Sequence, residues 1–149
     1  MSEEYLALID ECATLYSVDP SVVTAVCYVE SHFRKDAISS AGAIGIMQIM
    51  PETGEWIATA LSIPIADDYL YDPKINIRIG TYYLACLYAK FDAEWCVFAA
   101  YNAGEHRVSE WLKEGITQDT IPFPETKNYV KKVEIARKRY ANKNLFAFH

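Results

Sequence analysis

Glu30 sits among residues that would leave a carboxylate short of water. Val23, Val26 and Cys27 precede it by seven, four and three positions, and Phe33 follows by three. If the stretch from Val22 to Phe33 is one helix, all of these share its face. Desolvation disfavours the charged form of a carboxylate and raises its pKa. A glutamate shifted in that way can hold and donate a proton near neutral pH, which is what a general acid must do. A helix-edge carboxylate that reaches water or pairs with Arg34 is the ordinary alternative, because structural ion pairs also perturb carboxylates.

The residues that follow give Glu30 a setting. Ser39-Ser40-Ala41-Gly42-Ala43-Ile44-Gly45-Ile46-Met47-Gln48-Ile49-Met50-Pro51 is a small-residue loop running into a Gln-x-Met-Pro turn. Gly42 and Gly45 allow tight turning and close approach of a ligand to the backbone. Gln48 carries a donor and acceptors that could grip an amide or a hydroxyl. Further on, Tyr101-Asn102-Ala103-Gly104 ends a helical pattern, where Asn and Gly serve as stop signals and where functional side chains also project. Glu125 falls in the first turn of a last helix, a favourable place for negative charge. Tyr129, four residues later, shares its face and could hydrogen-bond a carboxyl group. His32, His106 and His149 are too few and too scattered to draw a ligand cluster, so no metal or cofactor is expected.

The elements that must position these residues all read as helices. Tyr5, Leu6, Ile9, Cys12, Ala13 and Tyr16 give a first amphipathic helix. Asp19-Pro20 and Asp72-Pro73 each supply a cap followed by proline, opening the helix with Glu30 and a long helix through Ile79, Tyr82, Tyr83 and Leu87. Pro51 starts a helix to about Leu61. Others span Glu94 to Tyr101, Val108 to Lys113, and about Glu125 to Asn142. Only the segment from Ile63 to Tyr71 reads as irregular or extended. No alternating strand pattern or internal repeat appears, and the expected fold is all-α, a single domain over residues 1–149.

Composition narrows the function. The chain has 149 residues, enough for a self-sufficient core, and 52% are hydrophobic. A net charge of -6 argues against a nucleic-acid partner. The acidity is uneven, with Lys131, Lys132, Arg137, Lys138, Arg139 and Lys143 gathered near the end, where they could help hold an anionic polymer. The 11 Tyr and 3 Trp exceed what a small core needs, and such rings also suit the faces of sugars. No run of 18 apolar residues would span a membrane. The start, Met-Ser-Glu-Glu-Tyr, lacks the regions of a signal peptide, which leaves a cytosolic protein, another export route, or a leader outside this chain. Cys12, Cys27, Cys86 and Cys96 lack zinc-site spacing and read as buried thiols, with Cys12–Cys27 and Cys86–Cys96 conceivable as disulfides.

Four segments in order carry a resemblance. They are Glu30-Ser31 with Ser39-x-x-Gly42-Ala43-x-Gly45-x-Met47-Gln48-x-Met50-Pro51, then Asn76-Ile77-x-x-Gly80-Thr81-x-Tyr83-Leu84, then Ala99-Ala100-Tyr101-Asn102-Ala103-Gly104-x-x-Arg107-Val108, and finally Glu125-Thr126-x-x-Tyr129-Val130. From about Tyr5 to Tyr140 the chain resembles the catalytic domain of the soluble lytic transglycosylases, peptidoglycan-cleaving enzymes with a goose-type lysozyme-like fold. Glu105-His106 stands where that family commonly has Pro-Gly, and Ile46 replaces a frequent leucine.

The resemblance implies that Glu30 is the sole acid/base, protonating the glycosidic oxygen between N-acetylmuramic acid and N-acetylglucosamine. The 2-acetamido group would stabilise the cation, and Glu30 would then deprotonate the 6-hydroxyl to close a 1,6-anhydro ring. It further implies substrate contacts from Ser39, Gln48, Met50, Tyr83, Tyr101, Asn102, Glu125 and Tyr129, with Tyr129 orienting Glu30. The partner would be peptidoglycan glycan strands, the protein a monomer, and the site of action extracytoplasmic, in the periplasm or cell envelope. A lysozyme-type muramidase that uses water, and a peptidoglycan-binding module that does not cut, are the alternatives. Ordinary glycosidases pair two carboxylates, and nothing here offers a convincing second one, since Asp36, Glu52 and Glu55 lie in the right region but outside the motif, which weighs against hydrolysis.

Overall fold

In a computed structural model, residues 1–143 are described, and His149 lies outside them. Seven α-helices carry the chain: α1 (Glu3–Tyr16), α2 (Pro20–Ser31), α3 (Pro51–Ala60), α4 (Pro73–Lys90), α5 (Glu94–Ala103), α6 (Glu105–Lys113) and α7 (Pro124–Asn142). Among the described residues there is no strand ladder, only two isolated bridges, Ile38 with Ile44 and Ile44 with Ile49. The all-α expectation holds.

Local chemistry explains where the helices start. The Ser2 side chain accepts from Tyr5 N at 3.2 Å, Asp19 from Ser21 N at 2.8 Å and Asp72 from Lys74 N at 2.9 Å. Pro20, Pro51, Pro73 and Pro124 occupy first-turn positions, where the missing N–H costs nothing.

Helix α2 runs through the middle of the molecule, with Ser21 through Cys27 and Ser31 all buried. Its principal partner is α7, with α1 also packed on it, while α4 bridges α1 and α5. Phe98, Ile46, Met47, Ile77, Ile79, Leu84 and Leu87 fill the core around it, at about 1.5–3 kcal/mol of transfer free energy for each large side chain.

Four boundaries differ from the sequence reading. Helix α2 ends at Ser31, because His32 and Phe33 adopt left-handed backbone at φ 54° and 62°. The His32 N–H closes on Tyr28 O and the Phe33 N–H reaches back to Cys27 O, so the left-handed pair still satisfies carbonyls of the last turn. Phe33 therefore leaves the face it was expected to share with Glu30 and joins Tyr28 and Tyr140 in an aromatic cluster. Helix α5 continues through Asn102 and Ala103 before Gly104 breaks it, and α6 begins at Glu105 rather than Val108. The segment before α4 closes with a single 3-10 turn at Tyr69–Tyr71 instead of extended backbone.

All four cysteines are free, with Cys12, Cys27 and Cys96 buried and Cys86 partly so. No helix among the described residues is long and apolar enough to cross a membrane. No group of three or more His, Cys, Asp or Glu side chains among them could hold a metal ion.

Candidate active site

Glu30 occupies the last turn of α2, partly buried between α2 and α7. Burial pushes its carboxyl up from 4.5 to about 7, and the negative charge of Glu125 pushes the same way. The one opposing influence is the Tyr129 hydroxyl, which donates to Glu30 Oε2 at 3.0 Å and favours the anion. Tyr129 is buried on α7, and its own hydroxyl is raised well above the usual range by burial and by the Glu30 charge. It therefore keeps its proton and serves as a fixed donor. Tyr101, whose hydroxyl feels the same charge, is raised likewise. The carboxyl group thus keeps a free oxygen and can exchange a proton near neutral pH.

The segment after α2 is tied back beside Glu30 by its neighbour Ser31, whose buried hydroxyl donates to Ile46 O at 2.7 Å. From the other side, fully buried Asn76 on α4 holds two segments of backbone at once, the loop at Ile44–Met47 and the turn at Leu70. Its Oδ1 accepts from Met47 N at 2.8 Å, and its Nδ2 donates to Ile44 O at 2.9 Å and to Leu70 O at 2.8 Å. Gly45 is required for that approach: at φ 84°, a Cβ there would stand 2.2 Å from Asn76 Nδ2 and 2.6 Å from Leu70 O. Gly80, one helical turn after Asn76, leaves the space that Met47 fills, since a Cβ there would come within 2.4 Å of its sulfur.

This anchored loop and the end of α5 enclose a groove of about 270 Å³, lined by Gln48, Ile49, Met50, Thr53, Tyr83, Tyr101, Asn102, Ala103 and Gly104. Tyr101 ties its two sides together by donating to Met47 O at 2.7 Å. Gln48, at φ 53°, spends both N–H bonds on the loop itself, to Ala37 O at 3.1 Å and Gly45 O at 2.9 Å. Its carbonyl oxygen is what remains for a ligand. Asn102 is the converse: Thr126 on α7 donates to its Oδ1 at 2.8 Å, leaving the amide N–H groups. The groove therefore presents one oriented acceptor and one oriented donor pair, with the rings of Tyr83 and Tyr101 packed 5.4 Å apart.

Of the residues singled out in the sequence, Gln48, Met50, Tyr83, Tyr101 and Asn102 line this one cavity, while Glu30 pairs with Tyr129 and feels Glu125. Ser39 does not line the groove. Its hydroxyl accepts from Ala43 N at 3.0 Å and closes the exposed turn around Gly42. Thr126 and Thr53 were not singled out individually, and Asn76 was noted only within its motif. The spacing of Asn76 and Gly80, one turn apart on an otherwise apolar helix face, was the signal that something polar is gripped there. A larger cavity of about 500 Å³ lies elsewhere, along α7 where Arg137 pairs with Glu94 and Asp19, and it includes none of these residues.

Comparison with known proteins shows the family to which the whole arrangement belongs. A family model described as the transglycosylase SLT domain matches residues 7–123, which stops just short of Glu125 and Tyr129. The chain is 30% identical to membrane-bound lytic murein transglycosylase C of Actinobacillus pleuropneumoniae over 93% of its own length and 46% of that protein. It is 38% identical to the soluble lytic murein transglycosylase of Escherichia coli over 78% of its length and 20% of that protein. Among solved structures, an inactive glutamate-to-glutamine mutant of the lytic transglycosylase Slt from Pseudomonas aeruginosa superposes with a TM-score of 0.86 at 34% identity, covering 92% of this chain and 24% of that one. The chain spans less than half the length of these curated relatives.

Proposed function

The chain belongs to the transglycosylase SLT family, and on that premise we propose that it cleaves peptidoglycan glycan strands non-hydrolytically, leaving 1,6-anhydro-muramoyl ends. The observation that carries this reading is a single glutamic acid poised at about 7, held by a tyrosine hydroxyl beside a groove with oriented amides. Near neutrality its acid and base forms are both accessible, so one residue can serve both halves of the reaction.

In the first half, Glu30 donates its proton to the glycosidic oxygen as that bond breaks, and the substrate's acetamido oxygen stabilises the cation at C1. In the second half, the Glu30 anion removes the proton of the muramoyl 6-hydroxyl as its oxygen closes on C1. The proton returns to Glu30, so no water is consumed and the enzyme is ready again. Tyr129 stabilises the anion between the two halves without becoming an acid itself. Met50, Tyr83 and Tyr101 supply apolar and aromatic surface for the sugar rings. Gln48 Oε1 and the Asn102 amide N–H groups suit the N–H and the carbonyl of an acetamido group. Ser39 and Glu125 are not among the groove's lining residues, and in this reading they would meet the outer sugar or its peptide. Such a substrate puts the site of action outside the cytoplasm, in the cell envelope.

The test is mass spectrometry of muropeptides released from purified peptidoglycan. Products one water lighter than hydrolytic ones, without a reducing muramic end, are expected. Reducing ends would make the protein a muramidase. Glu30→Gln should abolish release by at least about a thousandfold while keeping the fold, in line with the loss of a general acid/base. The same variant reads the carboxyl's environment. Because the native pKa lies above the unfolded one, Glu30 favours the folded state below pH 4.5, and that advantage disappears as pH rises through about 7. Glu30→Gln should therefore match wild type near pH 4 and exceed it in stability at pH 8, by at most about 3 kcal/mol in denaturant titrations. Wild-type activity should decline above pH 7 as the proton to be donated is lost.

A further inference from the structure

Trp56 is 54% exposed on α3 and makes no ring contact among the described residues, whereas Trp111 is buried against Phe123. A single exposed indole is ordinary in itself, so an occupant must be argued from where it sits. Its position supplies one. Thr53, one helical turn earlier, lines the groove, and Trp56 lies about 60° around the helix and about 4.5 Å further along its axis. The flank of α3 that borders the groove therefore continues outward onto the indole. There the exposed side chains of Glu52, Glu55, Trp56, Thr59 and Ala60, all on α3, form a second, open patch.

We propose that Trp56 is a stacking platform for one further sugar ring of the glycan strand, an N-acetylglucosamine lying outside those held in the groove. This rests on the reading of the groove as a peptidoglycan site. An exposed indole offers a flat apolar face to the C–H face of a pyranose ring, and the distance from Thr53 is comparable to the length of one sugar. Glu52 and Glu55 flank the ring, and neither is in an ion pair among the described residues. As carboxylates they only accept hydrogen bonds, which suits sugar hydroxyls and an acetamido N–H. Their charge repels the lactyl and peptide carboxylates of a muramoyl residue. That selects the unsubstituted sugar of an alternating strand and sets which ring of the strand lies over α3.

The test uses N-acetylglucosamine oligomers of two and six units, titrated calorimetrically into wild type, Trp56→Ala and Trp56→Phe, with peptidoglycan release by wild type measured alongside. Trp56→Ala should bind the hexamer about three- to tenfold more weakly, with the dimer changed less than twofold, as expected for loss of one ring contact. Trp56→Phe should recover most of the difference, which a loss of folding would not do. Equal hexamer affinities in wild type and Trp56→Ala, with wild type still cleaving peptidoglycan, would overturn the platform and leave the groove's function standing. Failure of wild type both to bind the hexamer and to cleave peptidoglycan would remove the functional reading and the platform with it.

Discussion

The loop wall of the groove, residues 44–50, is gripped by side chains from three helices: Ser31 of α2, Asn76 of α4 and Tyr101 of α5. The facing wall, the end of α5, is fixed near its tip by Tyr101 and by the single bond from Thr126 to Asn102. The two also use glycine differently. At Gly45 a side chain would collide with Asn76 and Leu70, whereas at Gly104, φ 98°, it would meet nothing within 4 Å. One wall is over-determined by buried polar contacts and the other is left room to adjust. If the groove seats a glycan strand as proposed, a rigid wall would set its register and a yielding one would admit it.

That contrast can be broken most severely at Gly45. Gly45→Ala should cost about 4 kcal/mol or more in chemical denaturation, since strain at positive φ adds to a backbone and amide collision. Gly104→Ala should cost only about 1–3 kcal/mol, the conformational strain alone. Similar losses at the two positions would mean that the walls are equally held. Next in size is Asn76→Ala, which strands Met47 N–H and two carbonyls in a buried site. About 3 kcal/mol of stability should disappear, and crystals or amide exchange should show residues 44–50 loosened. The smallest effect belongs to the yielding wall. Thr126→Val should lower stability by about 1 kcal/mol, raise KM for glycan strands severalfold and leave kcat less affected, because the Asn102 amide loses the partner that orients it. Thr126→Ser should restore KM.

Much of this was open to reading in the chain itself. Asp-Pro pairs announced α2 and α4, and the spacing of Val23, Val26 and Cys27 marked Glu30 as desolvated, because caps and helical periodicity are local properties. Tyr129 is different in kind. It lies ninety-nine residues from the carboxylate it meets, and its role followed from resemblance rather than from its own surroundings. The left-handed pair His32-Phe33 was illegible, since a bulky Phe rarely adopts that backbone and here the ring is held in the aromatic cluster with Tyr28 and Tyr140. The commitment of Gln48's N–H groups was hidden for a related reason. A glutamine's amide could serve a ligand or its own loop, and the sequence does not distinguish a side chain aimed outward from one folded back on Ala37 and Gly45.

Helix α2 bears a carboxylate at each end, and it is electrically polarised between them. Asp19 sits at the N-terminal pole, where the unpaired N–H groups welcome an anion, and it caps the helix as one. Glu30 sits eleven residues on, at the opposite pole, where the last turn itself holds no basic residue and Arg34, just beyond it, donates from Nε to Ser31 O at 2.9 Å. In that field the ionised form of Glu30 is the uncomfortable one. Were Glu30 to give its proton away in the proposed reaction, the helix would add to burial in favouring its return. The orientation of a single helix would thus make the two halves of the reaction a cycle, with the return stroke supplied by the fold.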